Sequence, residues 1–461
     1  MTSAVSASSG WRDAPANALA GCLTAAVFYA EYTGLGAGLG AVLPGSGGAA
    51  TGSVMVVGAV VLSCLVGLLS SRPLLAGPRA ASLAVLIFGM RLATGNSLDA
   101  SANTAIAMAA LALMLLVAAA TQLLGTIGAV QDWIYRSHVA LRKGFIFATA
   151  IGIVVSLGLV QLDGCLRVSP GWTALVVATS FGSALAWTYW CSPPPGQPPA
   201  ERTFKAKLAP LAMVIGVALA TAGYYALVQP YAQGDYCATL GRIGLQPALL
   251  SQLLLSPAAV QSAVLALPLW IWPVLLLLGF LLGLVLLLES LTTLRDSKDQ
   301  TASMLWSGQI RMRALTGLLS APLGLACASL SGSRTNALLE AHGSTRVAVF
   351  FHGLGLLAIL FFMSAWIAKV PQLAVAVALL LVATQMIDDE TRSSVWRAGY
   401  NPQAPASNIH TAWMFWAMLV MSICAGSLLR YMGWGFGGGP LIALLGGAAL
   451  LGWASRRQLA G

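Results

Sequence analysis

Two apolar stretches of this 461-residue chain are interrupted where a membrane-spanning helix ought to run on. One reads Leu74-Leu75-Ala76-Gly77-Pro78-Arg79-Ala80-Ala81, the other Ser331-Gly332-Ser333-Arg334-Thr335-Asn336. Each places a glycine and an arginine inside an apolar setting, at corresponding positions of the two halves. In a bilayer, backbone groups released by a broken helix are satisfied only against protein or a water-filled cavity. A matched pair of broken segments therefore points to the central site of a transporter.

The setting is a membrane. Hydrophobic residues make up 58% of the chain and charged residues 8%, against roughly a quarter charged in a soluble domain. The N-terminus has no basic leader with a small-residue cleavage site, so the first apolar stretch is expected to be retained. The net charge of +10 does not read as a nucleic-acid surface, because the basic residues fall in alternate loops. They run Arg72; Arg136, Arg142 and Lys143; Arg202, Lys205 and Lys207; Arg295, Lys298, Arg311 and Arg313; Arg392 and Arg397; Arg456 and Arg457. The loops between carry few, such as Arg167, Arg242 and Lys369. That alternation is the positive-inside pattern and predicts both termini in the cytoplasm.

A span takes about 20 apolar residues, which predicts about fourteen segments. They lie near 17–36, 53–71, 74–93, 104–128, 143–160, 172–191 and 206–229, then 268–294, 312–328, 331–343, 345–367, 371–387, 409–431 and 438–455. Seven plus seven, an odd number per half, gives an all-α polytopic protein with a 7+7 inverted repeat and broken third and tenth helices. A proline-rich stretch at 192–199 and a polar one at 388–408 read as cytoplasmic connections, and 230–262 as the longest outside connection. Residues 1–16 and 458–461 read as tails around a transporter domain at 17–457.

The seven cysteines show no metal-ligand spacing. Cys22, Cys64, Cys191, Cys327 and Cys424 lie in or beside apolar spans and read as small buried hydrophobes. Cys165 and Cys237 fall in predicted outside loops, where oxidation is permitted, though their distance cannot be read from sequence. His342, His352 and His410 lack a carboxylate or cysteine at ligand spacing, so no metal site is expected. Trp187-Thr188-Tyr189-Trp190 and Trp413-Met414-Phe415-Trp416 read as interfacial belts.

The charges inside apolar runs carry the chemistry. A guanidinium at mid-depth costs about 2.5–3.5 kcal/mol on insertion scales and persists where it meets an anion or a carboxylate. Arg79 follows Gly77-Pro78, a natural helix start; it either faces a cavity or snorkels toward Arg72. Arg334 sits among Ser331, Ser333, Thr335 and Asn336, which suit a polar pocket. Two helix N-termini aimed at one point would offer amide hydrogens and positive dipole ends to an anion. Glu289 closes the run Leu284-Val285-Leu286-Leu287-Leu288. It reads as a proton-coupling group, a counter-ion for Arg334, part of a Na⁺ site with Ser290 and Thr293, or a residue of the cytoplasmic mouth beside Arg295 and Asp296. Glu31, between Tyr29 and Tyr32, reads as part of a solute-facing wall or as the buried partner of an arginine.

These residues resemble the transmembrane domain of the SulP family of anion permeases, whose fold is shared with uracil and xanthine permeases. Ala20-Gly21 followed by Leu23-Thr24 is similar to the family's opening of the first span, and Ser70-Ser71-Arg72 leading to Gly77-Pro78 to the start of its third. Arg142-Lys143-Gly144-Phe145 is similar to the start of its fifth. The series Glu289-Ser290-Leu291, Ser333-Arg334-Thr335 and Gly343-Ser344-Thr345-Arg346 is similar at nearly unchanged spacing. The chain departs at Ala30-Glu31-Tyr32, where the family carries Pro-Gln, and lacks the Asn-x-Glu-Leu motif after the eighth span. It is expected to lack the soluble STAS domain of many members.

The resemblance implicates Arg79, Ala80, Ser333, Arg334, Glu289 and the Tyr29–Tyr32 region; together with the residues themselves this gives an expected substrate site of Tyr29, Glu31, Tyr32, Gly77, Pro78, Arg79, Ala80, Ser333, Arg334 and Thr335, with Glu289 and Thr293 for ion coupling. It also implies a core domain of spans 1–4 and 8–11 rocking against a gate of spans 5–7 and 12–14. The expectation is a non-enzymatic secondary transporter of the bacterial inner membrane, moving sulfate or bicarbonate with H⁺ or Na⁺ and without a resident cofactor. A nucleobase permease using Glu31 and Glu289, or an uncoupled anion channel, is the alternative. The partners are a small inorganic anion and the bilayer, with a homodimer left open and no nucleic acid.

Overall fold

The computed structural model describes residues 14–40, 47–70, 73–78, 80–94, 102–128, 130, 154, 159–191, 208, 211–231, 237, 239, 265, 267–296, 303–321, 329–341, 343–386, 406–431, 439, 442 and 445–447. The predicted segments 143–160 and 438–455, and the proline-rich stretch 192–199, lie almost wholly outside them.

An Ala-, Gly- and Leu-rich run forms the first helix, α1 (Ala14–Gly40), and a Val-, Gly- and Leu-rich run the second, α2 (Gly47–Leu69). The chain then stops being helical. Pro78 has no amide hydrogen to give a helix, and it pushes the residue before it toward extended backbone. Ala76–Gly77 accordingly form a two-residue strand, β1, and α3 starts only at Ala80 and ends at Thr94. Helices α4 (Ala102–Leu124), α5 (Leu159–Val168), α6 (Pro170–Cys191) and α7 (Ala212–Gly223) follow, the last running on through a π turn at Tyr224–Val228.

The second half repeats the interruption. After α8 (Ile271–Asp296) and α9 (Ser303–Ser320), strand β2 (Ser329–Leu330) leads into α10 (Gly332–Glu340). Helices α11 (Arg346–Phe362), α12 (Ser364–Ile367), α13 (Gln372–Met386) and α14 (Ala406–Tyr431) follow. The two strands pair antiparallel, Ala76 opposite Leu330 and Gly77 opposite Ser329. At 15 and 9 residues, α3 and α10 reach about 22 and 14 Å, short of the roughly 30 Å hydrocarbon core.

Two expectations need correction. The ninth segment is not 312–328: α9 begins at Ser303, because Gln309 and Arg313, polar enough to end an apolar window, are buried in the protein. Cys165 does not sit in a loop. It lies on α5, joined by a disulfide to Cys237 across 72 residues, with Cα atoms 4.6 Å apart.

Packing separates two groups of helices. Helices α1, α2 and α11 pack together, and α4 packs against α3, α8 and α9. Glycine permits the first approach: a Cβ at Gly353 would stand 2.6 Å from Cys64 Sγ, the close contact that small residues allow between membrane helices. The other group joins α5, α6, α7 and α13 around Ala184, Ala220, Val228, Leu373 and Val377. Between the groups, where α1 faces α7, lies a cleft of about 460 Å³ lined by Ala26, Val27, Met213, Val217, Thr221 and Val370. Among the described residues, three helices are long and apolar enough to cross a membrane: Ile106–Leu124, Pro170–Cys191 and Ala212–Tyr231.

Candidate functional site

The strand pair β1–β2 is the foundation of the site. Beyond the ladder, the Ser331 amide donates to the Leu75 carbonyl at 3.0 Å, and the Leu75 amide donates to Thr335 Oγ1 at 3.1 Å. The two interrupted segments are thus laced together at Leu75, just beyond one end of the ladder. Helix α8 grips the same place: Ser329 Oγ donates to Glu289 Oε2 at 2.7 Å, and the Leu330 amide donates to Ser290 Oγ at 3.2 Å.

Arg334 stands in the first turn of α10 and is wholly buried. Its Nε donates to Glu31 Oε2 at 3.1 Å and its Nη2 to Glu31 Oε1 at 2.5 Å, a two-pronged pair between residues 303 positions apart. Nη2 also donates to the Pro78 carbonyl at 2.7 Å. The guanidinium carbon lies 4.5 Å from the centre of the Tyr32 ring and 5.8 Å from that of Phe28, within range of cation–π attraction. Nη1 has no hydrogen-bond partner and is directed at the backbone of Gly77. A Cβ on that residue would stand 2.6 Å from Nη1 and 2.9 Å from Tyr32 Oη. Position 77 therefore has room for glycine alone while the guanidinium holds its place.

The expected residues fare unequally. Glu31, Tyr32, Gly77, Pro78 and Arg334 converge at one point. Tyr29 is buried nearby in the same core, its hydroxyl unbonded. Thr335 is a lacing residue rather than a lining one. The hydrogen-bonded carboxylate of Arg334 is Glu31, whereas Glu289 accepts from Ser329 and lies close enough to act on Arg334 through its charge. The Arg334 amide, expected to face an anion, is capped by Ser331 Oγ at 3.3 Å, an ordinary N-cap. The two carboxylates of the nucleobase alternative have separate partners. Ala80 opens α3, while its side chain, those of Ser333 and Thr293, and all of Arg79 lie outside the described residues.

Sequence reasoning did not single out Phe28 or Ser329, and weighed His352 only as a metal ligand. Phe28 was signalled by its spacing, four residues before Tyr32 on the same helix face. His352 is buried on α11 with Nδ1 3.0 Å from Thr24 Oγ1 and its ring edge-on to Tyr32, 6.3 Å between centres. It backs the tyrosine that stacks on Arg334. Among the described residues no cluster of three His, Cys, Asp or Glu could hold a metal ion.

The arrangement offers a protein-enclosed guanidinium with one unbonded nitrogen, Nη1, and Glu31 as its hydrogen-bonded carboxylate. No family model matches the sequence, and no curated protein sequence matches it. Solved structures do. The chain is similar to the transmembrane domain of the cyanobacterial bicarbonate transporter BicA, with 16% identity and a TM-score of 0.61, covering 94% of this chain and 97% of that one. It is similar to SLC26A9, with 13% identity and a TM-score of 0.62, over 95% of this chain and 66% of that one. The murine Solute Carrier 26 family member A9 anion transporter, in its inward-facing state, matches with 13% identity and a TM-score of 0.61, over 96% and 68%. The chain has the helical membrane-transporter fold of these proteins, the fold that the SulP resemblance implied.

Proposed function

We propose that this protein is a SulP-type secondary transporter that moves a small inorganic anion across the bacterial inner membrane, bicarbonate or sulfate. Bicarbonate is favoured by the match to BicA, which extends over nearly all of that domain. The observation that carries the reading is the Glu31–Arg334 pair, set where the two interrupted segments cross.

Held by Glu31, the guanidinium is electrically compensated and its site has little pull on an anion. Protonating Glu31 removes the compensation, and an anion then takes the place of the carboxylate against Arg334. Proton and anion would bind together and travel as a pair, which assigns coupling to Glu31 in place of Glu289. The free Nη1 arm and the amides that open α3 at Ala80 supply further donors. Transport itself is a rocking of the core spans 1–4 and 8–11 against a gate of spans 5–7 and 12–14. The cleft between α1 and α7 supports that division, and its mostly apolar walls suit surfaces that slide without breaking polar bonds. The antiparallel crossing of β1 and β2 supports the inverted 7+7 repeat.

Proteoliposomes decide the matter. Labelled bicarbonate, sulfate and uracil would be offered under imposed proton or sodium gradients to the wild type and to Glu31→Gln. Anion uptake driven by the proton gradient, and lost or uncoupled from it in Glu31→Gln, is the expected result. Uracil uptake would move the protein to the nucleobase permeases. Sodium-driven uptake unchanged in Glu31→Gln would return coupling to Glu289. Anion flux without any driving gradient effect would make it a channel.

A further inference from the structure

The chain buries a second guanidinium, and among the described residues no carboxylate pairs with it. Arg313 lies on α9 and is 1% exposed. None of its Nε, Nη1 and Nη2 atoms has a hydrogen-bond partner. The positive-inside reading counted Arg313 with Arg311 as loop charge, but α9 begins ten residues earlier, which puts Arg313 about 15 Å along the helix. Arg311 is exposed, as are Leu315 and Leu319. Those three mark the outer face, and Arg313 is on the opposite one.

That inner face is a buried polar stripe. Gln309, Arg313, Thr316 and Ser320, at spacings of four, three and four, are all buried and follow one side of the helix. It is wedged between two neighbours: Ser70 Oγ, just beyond α2, donates to Gln309 Oε1 at 3.1 Å, and a Cβ on Gly317 would stand 3.0 Å from Ala119 Cβ of α4. Thr316 Oγ1 donates to the Arg313 carbonyl at 2.9 Å and Ser320 Oγ to that of Gly317 at 3.2 Å. The hydroxyl hydrogens are therefore committed to the helix itself, and the guanidinium supplies the donors. The two buried carboxylates described, Glu31 and Glu289, are held at the central crossing by Arg334 and Ser329.

A buried charge persists where it is paired. We infer that Arg313 binds a small inorganic anion of halide size inside the α2–α4–α9 packing, at a site separate from the Arg334–Glu31 crossing. The occupant must be a compact, negatively charged acceptor, since the site offers donors and is closed off from the lipid face. A lipid headgroup does not fit a guanidinium at 1% exposure.

The test uses the full chain in detergent, melted in sodium bromide and in sodium gluconate at equal ionic strength, so that screening is constant. A ligand that binds only the folded state raises Tm with its concentration. The wild type and Ser331→Ala, altered at the central crossing, should melt several degrees higher in bromide, and Arg313→Met should lose that rise. A bromide-dependent rise kept in full by Arg313→Met, lost in Ser331→Ala, or absent from the wild type overturns the inference. So does a co-purified lipid whose removal alone lowers the melting temperature in an Arg313-dependent way. Should Arg313→Met fail to fold, bromide-soaked crystals of the wild type decide: an anomalous peak against the Arg313 guanidinium upholds the site, and its absence rejects it.

Discussion

The two strands that cross at the centre are unlike in chemistry. The first, leading into α3, contributes bare backbone: the Leu75 amide and carbonyl, the Pro78 carbonyl and the open flank of Gly77. The second, leading into α10, contributes side chains: Ser329 to Glu289, Ser331 to the helix cap, Thr335 to Leu75 and Arg334 to Glu31. One arm is the mould and the other the casting. A site assembled this way is asymmetric even where the two halves share a layout. Substitutions that add bulk should hurt the first arm, and those that delete polar atoms should hurt the second.

The comparison breaks most visibly at Arg334. Arg334→Ala strands the Glu31 carboxylate in the core, which should cost about 3–5 kcal/mol by denaturant titration in detergent. The double variant Glu31→Gln with Arg334→Met should recover much of that. If the two losses simply add, the pair does not anchor the site. On the first arm, Gly77→Ala forces a Cβ to within 2.6 Å of Nη1. Overpacking of that kind costs about 1–3 kcal/mol, and uptake should fall with it; an unchanged Tm in the Gly77→Ala variant would mean that the arginine swings aside freely.

Thr335→Val tests the lacing between the arms. It leaves the buried Leu75 amide without its acceptor, a loss of about 1–3 kcal/mol, and hydrogen exchange at Leu75 should quicken if that bond holds β1 in place. Ser331→Ala gives the smallest change, about 1 kcal/mol for a lost helix cap, read as a slight drop in Tm without loss of uptake. Uptake abolished by Ser331→Ala would make that serine a substrate ligand and not a cap.

Much of the crossing is legible along the chain. Gly77-Pro78 disrupts a helix through local covalent geometry, and Ser331 marks a helix start because its hydroxyl can accept from an amide three residues on. Glu31, Glu289 and Arg334 announce themselves because a charge in an apolar run is costly. Which charge answers which is another matter. Glu289 lies nearer Arg334 in sequence, yet the bond is to Glu31, 303 residues away. Arg313 and Gln309 misled the apolar ruler, since a window average cannot tell a polar side chain turned into protein from one turned toward water. The Cys165–Cys237 bond was likewise open until α5 set the two Cα atoms 4.6 Å apart.

By itself the sequence determined that this chain lives in a bilayer, that its helices break near residues 77 and 331, and that a few charges sit within apolar runs. Each follows from neighbours in the chain: hydropathy over one span, a ring without an amide hydrogen, a side chain too costly for lipid. Tertiary structure alone decided that both breaks meet as one antiparallel pair, that Glu31 closes on Arg334, and that Arg313 is buried with no hydrogen-bond partner among the described residues. Those depend on contacts between distant segments, whose energies arise only once the helices have packed.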